Sequence, residues 1–177
     1  YKIVVKKNIP VYAGLGGGTS NSASIVKYFA KNRLDKKLVL NCEKKIGSDF
    51  RLFLNNNSYQ KNLREVFKSY NTIRSPIIIV FPNVDSKTKN VYKAVKKFSP
   101  SSGNRYLKKI KKKNFIEIIK KDQNDLQKIV EKKFSKISLL LKFINNQKGC
   151  IFSRLTGSGS ACYGVFKSKK TAKFALV

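Results

Sequence analysis

Gly14, Gly16, Gly17 and Gly18 put four glycines into five positions, with Leu15 between them, immediately before a stretch with helical apolar spacing at Ala23, Val26, Phe29 and Ala30. Few connections need that many glycines at a helix entrance. Without Cβ atoms, main-chain N–H groups can converge on an anion. The helix that follows adds unpaired N–H groups and the positive end of its dipole. The combination reads as a phosphate cradle spanning Gly14 to Ser20, with the hydroxyls of Thr19 and Ser20 available to phosphate or metal. The alternative is a plain glycine-rich connection. A Walker A loop would end in Gly-Lys-Ser/Thr, and no Lys stands there. The dinucleotide fingerprint G-x-G-x-x-G also fails, because after Gly14 and Gly16 its third glycine position holds Thr19.

The rest of the chain alternates strand and helix signals, which indicates an α+β or α/β protein. Strands are expected at Tyr1–Lys6, at Ile77–Phe81 as a buried strand, at Ile151–Leu155 and at Ala161–Phe166. Helices are expected at Asn21–Asn32, Lys36–Ile46, Thr88–Phe98, Asn114–Lys121 and Asp125–Asn145, with Gly47 as the stop of the second. In the Thr88 helix, Val91, Tyr92 and Val95 are read onto one face. Turns are expected over residues 55–58, 99–103 and 156–160, and Tyr59–Thr72 has a strand-like character. Arg74-Ser75-Pro76 is the expected boundary between a lobe at 1–75 and a lobe at 76–177.

Charge and cysteine content narrow the function classes. The net charge is +30, from 39 basic and 9 acidic residues. A nucleic-acid surface is one source of such an excess. Only six of the basic residues are Arg, however, and the lysines are spread along the chain alongside abundant Asn and Ile. That pattern fits AT-rich codon use better than base or phosphate recognition, where the Arg fork excels. Nucleic acid is therefore not the expected partner. No His is present, which excludes imidazole catalysis and His-ligated zinc within this chain. Cys42, Cys150 and Cys162 form neither a disulfide framework nor a metal spacing, so a reducing cytoplasm is the expected location. No apolar run is long enough to cross a membrane. There is no Met, and Tyr1–Val5 reads like the middle of a strand, so the chain is expected to be an N-terminally truncated piece.

Three segments, in order, resemble the motifs of the GHMP kinase superfamily of small-molecule kinases. Ile9-Pro10 with Ala13-Gly14-Leu15-Gly16-Gly17-Gly18-Thr19-Ser20-Asn21-Ser22-Ala23 is similar to its second motif. Ile46-Gly47-Ser48-Asp49 is similar to the segment ending in its catalytic Asp, and Ser153 to Cys162 resembles its C-terminal glycine motif. Shorter echoes lie at Thr88–Tyr92 and Asn124-Asp125-Leu126. The triple glycine resembles the branch that acts on a cytidine diphosphate sugar alcohol; other GHMP kinases, with other alcohols, remain the alternative.

The resemblance implies a two-lobed α+β fold, with an incomplete ribosomal-protein-like N-terminal lobe and a ferredoxin-like C-terminal lobe. It implies ATP and Mg2+ as cofactors and a small-molecule substrate. It places Asp49 as the catalytic residue that orients or deprotonates the attacking hydroxyl; the alternative is an Asp capping a helix end. It places Lys7 and Gly14, Leu15, Gly16, Gly17, Gly18, Thr19 and Ser20 at the nucleotide. Lys7 reads equally as one more solvated lysine. Tyr92 would stack on the cytosine and Thr88 would stand near Asp49; the alternative for Tyr92 is a buried helix face. Thr156, Gly157, Ser158 and Gly159 would support the phosphate loop, or simply turn a hairpin. No metal ligands are assigned. The family's first motif, with a Lys and an aromatic, would precede Tyr1, so this piece by itself is expected to be inactive. After Asp49 the family commonly has Val-Pro, where this chain has Phe50-Arg51, and residues 55–65 lack the glycine-rich substrate loop.

Overall fold

The computed structural model describes residues 1–55, 57–63, 65–68, 74–100 and 112–176. The described residues fall into two compact units. One takes those within Tyr1–Lys7, Gly16–Thr72 and Pro100–Lys112; the other takes those within Asn8–Leu15, Ile73–Ser99 and Lys113–Val177. Residues 8–15 thus group with the C-terminal part of the chain, and the glycine loop passes from one unit to the other between Leu15 and Gly16.

In the first unit, α1 (Gly17–Phe29) and α2 (Lys36–Ile46) are followed by a 3-10 turn at Ser48–Leu54. The α2 bounds agree with the sequence reading for identifiable reasons. Asp35 caps the helix by accepting the Leu38 N–H at 2.7 Å, and Gly47 ends it at φ 128°. Leu38, Val39, Cys42, Glu43 and Ile46 form its half-buried face, with Lys44 and Lys45 in the last turn. Strands β1 (Ser58–Gln60) and β2 (Val66–Lys68) pair antiparallel, which accounts for part of the strand-like 59–72 region; residues 69–73 lie outside the described residues. So do Asn56 of the expected 55–58 turn and residues 101–103 of the expected 99–103 loop.

The second unit holds an antiparallel sheet in the order β3 (Ile77–Val80), β5 (Cys162–Phe166), β4 (Cys150–Leu155). Around it lie α3 (Thr88–Lys93), α4 (Lys112–Lys121), α5 (Gln127–Lys133), α6 (Ser135–Asn145) and α7 (Lys169–Phe174). Ile137, Leu141 and Ile144 of α6 join Leu155, Cys162, Val91, Leu126 and Val130 in the main core. Gly164 lets α6 come close, since a Cβ there would collide with the Ile144 side chain. Ile78, Phe166 and Ala172 form a smaller cluster under α7. Behind the sheet, Arg154 lies over the Phe152 ring at 4.8 Å and donates from Nη2 to the carbonyls of Ile119 (2.9 Å) and Asp122 at the end of α4.

Five sequence expectations change. The helix expected over Asp125–Asn145 is two helices, α5 and α6, with extended backbone at Phe134 between them. Tyr1–Lys6 is not a strand: among the described residues nothing pairs with it, and Tyr1, Ile3, Val4 and Val5 are exposed. The first helix starts at Gly17 rather than Asn21, so two of the glycines lie inside it. Ile77–Val80 is buried on one face only, because β3 is an edge strand: Ile78 is buried while Ile77 and Ile79 are more than half exposed. The Thr88 helix stops at Lys93. Extending it would stack Lys89, Lys93, Lys96 and Lys97 at like-charged i, i+3 and i+4 spacings.

Burial also fixes the cysteine chemistry. Cys162 is fully buried, and desolvation, with Glu131 adding to it, pushes its thiol up from 9.0 to about 12. Burial likewise raises Cys150, against a lowering hydrogen bond from the Phe152 backbone. The sign for Cys162 follows directly. Between the unfolded value of 9.0 and about 12, the folded thiol keeps a proton that the unfolded chain releases. Ionisation then favours the unfolded state, so this residue lowers stability as pH rises through that window. Native protein treated with iodoacetamide at pH 8 should be alkylated at Cys42 and spared at Cys162; mass spectrometry of the digest checks it.

Candidate active site

The glycine loop is built in two parts. In the second unit, residues 12–14 lie along the turn that joins β4 to β5. Ser160 N donates to Tyr12 O at 2.7 Å and Ala161 N to Ala13 O at 3.1 Å. Thr156 Oγ1 donates to the same Ala13 carbonyl at 2.7 Å. Gly14 has φ 71°, and a Cβ on it would run into the Thr156 carbonyl and lie 2.9 Å from the Gly159 carbonyl. At Gly157, φ 46°, a Cβ would lie 3.1 Å from the Gly14 carbonyl, a looser approach than that at Gly14. Two segments far apart in sequence therefore meet main chain to main chain, and glycine is required on both sides of the seam.

In the first unit, Gly16 is the N-cap of α1 at φ 65°, and no side chain caps the helix. The N–H groups of Gly17, Gly18 and Thr19 precede the first intrahelical bond, Ser20 N to Gly16 O at 2.9 Å, and the first turn holds no acidic residue. The Cβ position of Gly18 has nothing within 4 Å, so a side chain there would meet open space. Donors and dipole in this arrangement favour a negatively charged group. The Ser20 hydroxyl turns back to the Gly17 carbonyl at 3.0 Å, which leaves its oxygen as an acceptor.

The same unit carries Asp49 on the 3-10 turn. A Cβ on Gly16 would lie 2.5 Å from Phe53 Cζ, so the loop entrance rests on this turn. Phe50 is fully buried and pins it, while Asp49 itself is exposed. Asp49 does not act as a helix cap: the capping position is Gly47, and among the described residues the Asp49 carboxylate takes only a long 3.4 Å bond from Ser48 Oγ. Arg51, read from the sequence as an added charge, anchors the turn to α2. Its Nη2 donates to Glu43 Oε2 at 2.6 Å and its Nε lies 2.6 Å from Glu43 Oε1, both side chains being largely covered. Arg51→Met should lower stability by about 2 kcal/mol, because Glu43 is left half-buried without its charge partner. Thermal melts of Arg51→Met and Glu43→Gln, singly and together, check this: the double variant should lose less than the sum of the single losses.

The hydroxyl residues gather in the second unit. Ser86, almost fully buried, donates to Ser158 O at 2.6 Å, and Thr88 Oγ1 lies 2.8 Å from Ser158 Oγ. Thr88 is thus tied to the Thr156–Ser160 turn. Ser86 had no sequence signal; a serine in a polar loop gives none until its partner is known. Tyr92 is 53 % exposed and faces Phe98 at 6.5 Å, while Val91 beside it is buried, so the helix turns Tyr92 outward rather than into the core. Lys7 is exposed in the first unit.

Residues 106–176 match the family model of the GHMP kinases C terminal. A 4-diphosphocytidyl-2-C-methyl-D-erythritol kinase of Pelagibacter ubique is 32% identical over 182 residues, covering 99% of this chain and 63% of the relative. One of the same name from Prochlorococcus marinus is also 32% identical, covering 93% of this chain and 59% of the relative. A crystal structure of 4-(cytidine 5'-diphospho)-2C-methyl-D-erythritol kinase superposes with a TM-score of 0.67 at 21% identity, over 96% of this chain and 63% of that one. The chain spans about three fifths of the length of the relatives it matches. The α+β kinase fold and the GHMP relationship read from the glycine motifs are borne out. Among the described residues, no helix is long and apolar enough to cross a membrane.

Proposed function

We propose that the protein containing this chain phosphorylates the 2-hydroxyl of 4-diphosphocytidyl-2-C-methyl-D-erythritol from ATP, in a reducing cytoplasm. The observation that carries the reading is the glycine loop, whose Gly14 end is seated on the Thr156–Ala161 turn and whose Gly17–Thr19 end presents unpaired N–H groups. Relatives of that name over nearly the whole chain support the substrate.

The residues fit a nucleotide phosphate: bare N–H donors, no acidic side chain in the first turn and no Cβ in the way at Gly18. When bound, Mg-ATP supplies the transferred phosphoryl group and the neutralising cation. Among the described residues no three His, Cys, Asp or Glu side chains gather into a metal cage. The Thr19 and Ser20 hydroxyls would be the groups of this loop able to hold Mg2+ beside the phosphates. The Gly17, Gly18 and Thr19 N–H groups hold phosphate oxygens. Asp49 receives the attacking hydroxyl and takes up its proton, while Phe50 and the Arg51–Glu43 fork fix the turn that aims it. Thr88 and Tyr92 face the substrate, with Tyr92 stacking on the cytosine ring.

The test is a coupled ADP-release assay on protein expressed from the complete reading frame that includes this chain. Release should require both Mg-ATP and the cytidine diphosphate group. Equal turnover of a sugar alcohol lacking that group would keep a GHMP kinase and reject this substrate.

A further inference from the structure

Leu155 ends β4, the edge strand, with both of its main-chain polar groups bound by side-chain amides. Its N–H donates to Gln127 Oε1 at 3.0 Å, and its carbonyl accepts from Asn124 Nδ2 at 3.0 Å. Leu155 is buried, so those groups need partners there. Satisfying a strand edge would explain both residues if the contacts ended at Leu155.

Asn124 goes further. The same Nδ2 donates to the Gly157 carbonyl at 2.8 Å, inside the turn, while Oδ1 accepts the Leu126 N–H at 3.0 Å in the turn that leads into α5. Gly157 is the residue whose Cβ position lies 3.1 Å from the Gly14 carbonyl. One amide therefore joins the helix start, the strand end and the surface on which the glycine loop rests. Gln127 joins only the strand end, its Nε2 being spent on Glu131 at 2.7 Å.

We propose that Asn124 is a positioning residue for nucleotide binding: it fixes the Thr156–Ser160 turn, and through the Gly157–Gly14 contact it sets the loop that receives the phosphates. The inference rests on the nucleotide reading of that loop. Asn124 touches neither nucleotide nor acceptor, so its loss weakens ATP binding more than turnover.

Asn124→Asp separates its two tasks. The carboxylate still accepts the Leu126 N–H, but it offers no donor and sets negative oxygen against two carbonyls. Gln127→Ala loosens the same strand end without reaching the turn. In the full chain, at a temperature where circular dichroism shows all variants folded, Asn124→Asp should raise the KM for ATP by about tenfold or more and change kcat by less than about threefold. Gln127→Ala should leave that KM within about twofold. Amide exchange gives a second readout: the Ser160 and Ala161 N–H groups, which donate to Tyr12 and Ala13, should exchange faster in Asn124→Asp and not in Gln127→Ala. An unchanged KM in Asn124→Asp, or an equal rise in both variants, would overturn the proposal while leaving the kinase intact. A wild-type protein that neither binds nor turns over ATP would overturn the nucleotide reading itself and this inference with it.

Discussion

Asp49→Asn should cut ADP release by about two to four orders of magnitude while leaving ATP affinity and thermal stability close to wild type. The side chain is exposed and caps nothing, so the fold does not depend on its charge. The amide has nearly the same shape but is a poor proton acceptor. A drop in kcat with KM for ATP unchanged would place Asp49 in the transition state only. If Asp49→Asn instead retains more than about a tenth of the rate, the residue is an electrostatic neighbour and another group receives the proton.

The second large effect is a contrast between two glycines of one loop. Gly14→Ala should destabilise the protein by about 2–4 kcal/mol and abolish measurable ATP binding. The new methyl group collides with main-chain oxygens of Thr156 and Gly159, which cannot move like a flexible side chain, and φ 71° disfavours any L residue. Gly18→Ala should change stability by less than about 1 kcal/mol, in the stabilising direction, because the position is helical and open. Its methyl group then stands where phosphate would bind, so ATP affinity should still fall. Thermal melts with ATP titrations of both variants separate the two roles. Equal destabilisation by both substitutions would contradict the seam between Gly14 and the Thr156–Ala161 turn.

How far the sequence led depended on whether the signal was local. The α2 helix was legible to its ends because Asp35 and Gly47 mark them. The glycine-rich entrance to α1 was legible because its glycines are adjacent in sequence. Partners at long range were not. Nothing near Asn124 shows that it reaches Gly157, and nothing near Ser86 shows that it bonds Ser158. Glu43 and Arg51 are eight residues apart across a helix end, a spacing that predicts no contact until the turn is known. The Tyr1–Lys6 segment shows the opposite failure. Its β-branched run has strand propensity, but a strand exists only with a partner to complete its ladder. Tyr92 shows a finer limit, since neighbouring residues on a short helix divide between core and surface, and only the packing of Val91 decides which.

The most direct measurement is phosphorus-31 NMR of a reaction of the full-length protein with Mg-ATP and 4-diphosphocytidyl-2-C-methyl-D-erythritol. The account predicts ADP and one new phosphomonoester in equal amounts, with coupling patterns that place the phosphate on the 2-hydroxyl, and no such signal from Asp49→Asn over the same time. ADP accompanied only by free phosphate, or an unchanged spectrum from protein that binds ATP, would contradict it.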